Sequence, residues 1–296
     1  MQHLTNHYLY RDRYICVERV EILTEEEMET VRTWNRPYMN NALTILFMLQ
    51  GRLDALVEGS RYELKSGELC LLNCLEACQL HAETYPAVFY RVSFSPFYFR
   101  VLDPTHLLAR PFEKRPMGVG NRVPGTAFDA QALRSSLLDM EKKSTEAEIR
   151  LNLIVLLVGL LYSMDQAFPW ELEDTRPEET RRVLEYIQEH SFEDMDLASL
   201  TGNLYLSRSQ LSSLVKKSTG YAVWDYVLNK RIYRSIRLLH EGMSNRMAAQ
   251  AVGFRDYSAF YKAFHKILGR TPTQEHPATE DDPLLARFYE AQWQEE

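Results

Sequence analysis

The chain has 296 residues, 45% apolar, 25% charged and 11% aromatic, with four cysteines and a formal net charge of −7. That length suggests two globular domains, and the composition excludes a disordered chain, a collagen-like repeat and a disulfide-stapled miniprotein. The start, Met1-Gln2-His3-Leu4, leads into polar and aromatic residues, and the longest apolar run, Leu153 to Leu161, is about half the roughly 20 residues of a membrane span, so a cytoplasmic protein without a membrane partner is expected.

From Leu43 to Phe99 the sequence predicts short strands with turn punctuation. Leu43 to Leu49 ends at Gln50-Gly51; Leu53, Ala55 and Val57 alternate up to a hairpin signal at Glu58-Gly59-Ser60. Arg61 to Leu64 returns to Ser66-Gly67, Leu69 to Asn73 follows, and Val88, Tyr90, Val92 and Phe94 share one face of a further strand. Strands at this spacing predict a small sandwich or barrel. Cys70, Cys74 and Cys78 stand four apart, yet this stretch reads as strand and no second ligand pair follows. Packing as reduced apolar residues is expected, with no metal and no cofactor.

Beyond Pro124-Gly125 the period becomes helical. Segments over 128–143 and 147–164 are predicted helices, the second apolar nearly all round, as suits a buried or dimer-forming helix. The acidic, proline-bearing stretch near residue 175 marks a boundary. Charge then changes sign: residues 1–175 hold 18 basic against 24 acidic residues, whereas residues 197–275 hold 12 against 4. A basic segment in an acidic chain points to a polyanionic partner for that segment.

Two helix-turn-helix patterns lie in it. In the first, Leu197, Leu200 and Leu204 precede a turn at Tyr205-Leu206-Ser207, where Ser207 is a predicted N-cap. The next helix runs from Arg208 to Thr219, shows Ser209, Ser212, Ser213, Lys216 and Lys217 on its polar face, and stops at Gly220. A predicted connector helix from Tyr221 to His240 buries Trp224, Leu228, Ile232, Ile236 and Leu239, with Lys230, Arg231, Arg234 and Arg237 mostly facing away. At about 1.5 Å per residue it spans roughly 30 Å, near one turn of B-DNA. The second pattern has a short helix after Ser244, a turn at Gly253 in the left-handed conformation, and a helix over 257–268 with Lys262, His265 and Lys266 exposed, ending at Gly269.

The stretch Ala251-Val252-Gly253-Phe254-Arg255-Asp256-Tyr257-Ser258-Ala259-Phe260-Tyr261-Lys262-Ala263-Phe264-His265-Lys266, followed by Gly269-Arg270-Thr271-Pro272, resembles the C-terminal signature of the AraC/XylS family of bacterial transcription regulators. Leu206-Ser207, Leu211, Lys216-Lys217, Gly220, Arg231 and Leu238-Leu239 resemble the first half of that module. The resemblance implies a multidomain α+β protein. Residues 1–125 would form a β-rich, cupin-like (jelly-roll) effector-sensing domain and 126–175 a helical dimerisation region and linker. Residues 176–276 would form an all-α DNA-binding domain of two helix-turn-helix units joined by a long helix, and 277–296 an acidic tail. It implies base-facing positions at Ser209, Ser212 and Ser213, and at Tyr257, Ser258, Tyr261 and Lys262; Ser207, Arg208, Lys216, Lys217, Arg255, His265 and Lys266 complete the candidate DNA-facing set. Serines in the first unit, His265 for a usual lysine and His276 for a usual arginine depart from the pattern. Serine lacks the bidentate contacts that discriminate bases strongly, so most readout is expected from the second unit or from dimerisation.

No pair of histidines with a carboxylate converges on the strand region, and no G-x-S-x-G, H-E-x-x-H or P-loop occurs, which disfavours an enzyme. Trp34, Tyr38, His81, Tyr90 and Arg91 are the candidate effector-binding residues, aromatics with polar tips suited to a sugar or ring. The expectation is a homodimeric, non-enzymatic regulator of promoter DNA, an activator by the commoner family behaviour and then in contact with RNA polymerase, modulated by a small molecule such as a carbohydrate. The alternative is a cupin-type enzyme or protein-interaction module with a helical appendage.

Overall fold

The computed structural model describes residues 7–12, 14–30, 36–39, 41–96, 103, 105–142, 145–167, 172–193 and 195–275. Trp34, His276 and the acidic tail fall outside them. The chain divides into two compact units, with the break between Arg176 and Pro177.

The first unit is built on an antiparallel sheet. Its strands are β1 (His7–Arg11), β2 (Ile15–Ile22), β3 (Leu43–Val57), β4 (Ser60–Lys65), β5 (Leu69–Leu72), β6 (Cys78–Phe94) and β7 (Arg122–Val123), with a short helix α1 (Glu25–Thr30) between β2 and β3. The order is β1-β2-β6-β3-β5-β7, and β4 pairs with β3. Alternation puts two apolar sets on opposite faces. Ile15, Val17, Ile45, Phe47, Tyr90, Val92 and Phe94 point one way, and Val20, Ile22, Leu46, Met48, Phe89, Cys70, Cys78 and Leu80 the other. The predicted face of Val88, Tyr90, Val92 and Phe94 is present in full.

Three strands differ from expectation. The break at Gln50-Gly51 does not end a strand: β3 passes through it with irregular register between Met48 and Leu53. Gly51 adopts φ +79°, and a Cβ there would lie 2.5 Å from the Pro86 carbonyl oxygen, so the strand bends where only glycine fits. β1 and β2 have no counterpart in the predicted elements. Their alternation is obscured by Glu18, a fully buried carboxylate on an otherwise apolar face, which pairs with Arg91 of β6.

The cysteines share no helix face. Cys70 lies in β5, Cys74 in the following turn and Cys78 at the start of β6. Burial pushes the Cys70 thiol up to about 12, so it stays a neutral packing group at physiological pH.

Among the described residues three further helices complete the unit: α2 (Arg110–Glu113), α3 (Ala130–Met140) and α4 (Glu146–Ala167). Asp129 caps α3, its carboxylate accepting from the Ala132 N–H at 2.8 Å. α4 packs Ile149, Leu153, Leu157, Leu161 and Met164 onto the face of the sheet that carries Tyr90. By length and composition alone α4 could cross a membrane, but this face of it belongs to the sheet's core. Its apolar character continues on the outer side, where Leu151, Val155, Val158 and Tyr162 are 68%, 69%, 37% and 55% exposed.

The second unit is helical: α5 (Glu178–His190), α6 (Leu197–Leu204), α7 (Arg208–Thr219), α8 (Val223–His240), α9 (Asn245–Ala251) and α10 (Tyr257–Leu268), closed by a 3-10 turn at Pro272–Glu275. α8 packs against α7, α9 and α10. Because it has neighbours on several sides, its buried stripe is wide and reaches Lys230 and Arg231, which are 1% and 7% exposed. Both were expected to face away. Trp224, expected inside, is 47% exposed.

Candidate nucleic-acid interface

Local capping chemistry sets both helix pairs. Asp196 and Ser199 form a capping box at the start of α6, with the Ser199 N–H donating to the Asp196 carboxylate at 2.7 Å. Hydrogen bonds from the Ser199 backbone and hydroxyl, with Arg255 nearby, hold Asp196 below its ordinary pKa. Ser207 and Gln210 form a second box at α7: the Gln210 side-chain oxygen accepts from the Ser207 N–H at 2.9 Å and the Ser207 hydroxyl accepts from the Gln210 N–H at 3.3 Å. Ser207 is therefore engaged as a cap. Asp256 caps α10 by accepting from the Ala259 N–H at 2.9 Å. Gly220 and Gly269 close α7 and α10 at φ +77° and +69°.

The two turns solve one problem differently. The second uses Gly253 at φ +83°, whereas the first places Tyr205, a residue 89% exposed, at φ +54°. A non-glycine residue in this region is strained, and a bulky one more so.

Each pair presents a polar face. Arg208, Ser209, Ser212, Ser213, Lys216 and Lys217 of α7 are exposed, as are Ser258, Tyr261, Lys262, His265 and Lys266 of α10. Arg255 is exposed in the second turn, and Tyr257 is half-buried against Phe260, ring centroids 5.9 Å apart. Lys216 donates to the Gly220 carbonyl at the end of its own helix. The buried faces are Leu211 and Val215 in α7, and Phe260, Ala263 and Phe264 in α10. By its chemistry the α7 face offers only single hydrogen bonds at its serines, which donate and accept singly.

Two further residues join this surface. A cavity of about 270 Å³ opens between α9 and the start of α10, lined in part by Arg246, Gln250, Arg255 and Tyr257. Its lining combines two guanidinium groups with the Asp256 carboxylate that caps α10, a polar mouth with basic residues in excess. Arg246 was detectable only as a basic residue in the first turn after the Ser244 cap, too weak a signal in sequence.

The described effector candidates of the first unit do not converge on one site. Arg91 pairs with Glu18 on one face of the sheet, and Tyr38 packs beside the core of that face, its backbone bridging Cys78. Tyr90 points to the opposite face, where its hydroxyl donates to Glu141 just past α3. His81 is exposed on β6 opposite Asp54. Trp34 lies outside the described residues.

A helix-turn-helix domain model matches residues 200–275. The chain is 32% identical over 90 residues to the probable transcriptional regulator LumQ of Photobacterium leiognathi, covering 30% of this chain and 36% of that protein. It is 30% identical over 129 residues to the Msm operon regulatory protein of Streptococcus mutans, covering 40% and 46%. Among solved structures, the C-terminal domain of the response regulator yesN from Fusobacterium nucleatum is 30% identical, with 34% of this chain and 100% of that chain covered at a TM-score of 0.33. The chain thus spans between about a third and a half of the curated relatives it matches.

Proposed function

We propose that the protein is a transcription regulator of the AraC/XylS type that binds promoter DNA sequence-specifically through α7 and α10; the helix-turn-helix model matching residues 200–275 and the curated relatives named as transcription or operon regulators support this reading. One observation carries the reading: two capped helices with exposed polar and basic faces are mounted on the single strut α8, about 27 Å long at 1.5 Å per residue. Successive major grooves on one face of B-DNA lie about 34 Å apart, somewhat more than the length of this strut.

In this reading Tyr257, Ser258, Tyr261 and Lys262 contribute most of the base readout, with Ser209, Ser212 and Ser213 adding single hydrogen bonds. Arg208, Lys216, Lys217, Arg246, Arg255, His265 and Lys266 meet phosphates. Selection of genomic fragments by the purified protein, followed by binding at several salt concentrations, tests it. Alanine at Lys266 should lower the salt slope by about 1, and alanine at Lys262 should relax base preference at one position; both should leave the melting temperature unchanged, because both side chains are exposed. Folded protein that enriches no fragment, with or without cell extract as a source of effector, overturns the reading.

The β-rich unit, cupin-like in this reading, is the proposed sensor of a small molecule. Tyr38 and Arg91 are its best-placed candidates because they lie on one face of the sheet, and a hydroxyl-rich ligand such as a carbohydrate suits their polar tips. Such a ligand regulates only by favouring one arrangement of the protein over another. Activation would add RNA polymerase as a partner, and the site of action would be the cytoplasm.

A homodimer through α4 is the further part of the proposal. Leu151, Val155, Val158 and Tyr162 stand at i, i+4, i+7 and i+11, the 3.5-residue period of a helix seam. Charge placed there should separate the subunits: Val155→Glu is expected to sediment as a monomer at concentrations where the unaltered protein is a dimer, with a similar unfolding temperature. Monomeric unaltered protein at tens of micromolar would remove dimerisation from the proposal.

A further inference from the structure

The spacing of the two reading helices is held by more than the strut between them. Arg231, near the middle of α8, is 7% exposed and its guanidinium reaches three backbone carbonyls. Nε donates to Ser191 at 2.7 Å, Nη2 to Glu193 at 2.6 Å and Nη1 to Gly253 at 2.9 Å. Ser191 and Glu193 belong to the link between α5 and α6, which leads into the first helix-turn-helix pair; Gly253 is the turn of the second. One planar fork therefore ties two parts of the molecule separated by about sixty residues of chain.

Independent contacts close the same joint. A Cβ on Gly253 would lie 2.7 Å from the Phe192 carbonyl oxygen and 3.0 Å from that of Glu193, so the two backbones touch. The Phe192 side chain packs against the buried cluster that includes Val252, Phe260 and Phe264. The guanidinium carbon lies 5.9 Å from the Trp224 ring and 5.8 Å from that of Phe254, which limits its freedom to swing.

We infer that Arg231 is a positioning residue that fixes the distance and rotation between the two helix-turn-helix pairs, and so makes the base-pair spacing between their subsites part of the protein's specificity. The inference rests on the DNA-binding reading above. With α8 alone as connector, bending or twisting of one long helix would let the pairs adjust to differently spaced subsites. With the joint closed, a single inserted base pair displaces one subsite by about 3.4 Å and about 35°. The rigid head then loses one set of contacts or must deform the DNA.

The test uses the full chain, unaltered and as Arg231→Lys and Arg231→Gln. Lysine keeps the charge but cannot span three carbonyls with one planar group. Affinity is measured on a selected site and on the same site with one base pair inserted or removed between the two subsites. The unaltered protein should lose about tenfold or more per change in spacing. The variants should bind the natural spacing less tightly yet lose no more than about threefold on changing it, while still unfolding cooperatively. Variants that keep the unaltered spacing ratio, weaker or not, would overturn the inference, because a purely structural role lowers affinity at all spacings alike.

Hydrogen exchange without DNA supplies the second readout. Amides at 191–193 and 252–256 should exchange faster in both variants while those of α7 and α10 stay protected. Equal acceleration throughout the unit, or none, counts against the inference. Unaltered protein that selects no DNA defeats the DNA-binding reading instead, and exchange still decides whether Arg231 holds the joint.

Discussion

Arg115→Met is expected to destabilise the β-rich unit by about 3–5 kcal/mol, the range for removing one partner of a buried ion pair. Arg115 and Glu76 have fully buried side chains. Arg115 donates to both Glu76 carboxylate oxygens, at 2.7 and 2.9 Å, and its two terminal nitrogens also reach the carbonyls of Val119 and Leu71. Glu76 accepts further hydrogen bonds from the N–H groups of Asn73 and Gly118 and from the Asn121 amide, at 2.6, 2.8 and 3.0 Å. The pair thus pins the 115–121 loop to the turn between β5 and β6. Without the guanidinium, a carboxylate stays buried among apolar strands.

The pH dependence gives a sharper check. Burial alone would raise the Glu76 pKa; the Arg115 charge and the hydrogen bonds from Arg115, Gly118 and Asn73 outweigh it and hold the group below 4.5, its ordinary value. A depressed folded value means that this stabilisation is complete above the ordinary value and is lost as pH falls through the lower, folded one. In Arg115→Met, burial acts unopposed by that charge, so protonating Glu76 relieves the variant. Chemical denaturation should find the gap between the two proteins widest at neutral pH and narrowing as pH falls, first above 4.5 as Glu76 of the variant protonates and then below it as Glu76 of the unaltered protein does. The double variant Arg115→Met, Glu76→Leu should recover much of the loss, since no charge is left stranded. A gap below 1 kcal/mol at neutral pH would mean that the pair is not buried in solution.

Gly253→Ala carries the second large effect, a loss of about 3 kcal/mol in the helical unit together with promoter binding. Two costs combine: about 1–2 kcal/mol for an L-residue in the left-handed region, and the collision with the Phe192 carbonyl at 2.7 Å, where backbone rather than a side-chain end must move. Moving it stretches the Arg231 hydrogen bond to Gly253. Gly269→Ala isolates the first cost, because φ is +69° there and nothing lies within 4 Å of the added carbon. Thermal unfolding should therefore rank Gly253→Ala well below Gly269→Ala; equal losses would mean that the turn relaxes away from the 191–193 link.

What could be read from sequence follows the range of the interactions involved. Ser207 and Gly220 bracket α7 by contacts within a few residues, so the helix was expected over Arg208–Thr219 and is found there. The Gly253 turn and α10 are local in the same way. Long-range contacts left no such trace. β2 was invisible because Glu18 breaks its alternation, and its burial is intelligible only with Arg91, 73 residues later, beside it. Arg231 was assigned to the outside because charge normally is; three carbonyls distant in sequence draw it in. The effector candidates failed to converge for a related reason: Tyr90 and Arg91 are chain neighbours, and on a strand neighbours face opposite sides.

The register of the sheet has a consequence for how the protein is made. Ile15 pairs with Phe94, and the core beneath the sheet gathers residues from Tyr10 to Met164. During synthesis at about 5–20 residues per second, the central strands therefore wait on the order of ten seconds for α4 to emerge and cover them. Pairings this distant close slowly, whereas the helices of the second unit find their partners nearby in the chain. Chaperone dependence should accordingly concentrate on the first half of the nascent chain, and fragments ending before α4 should aggregate even though every strand is present.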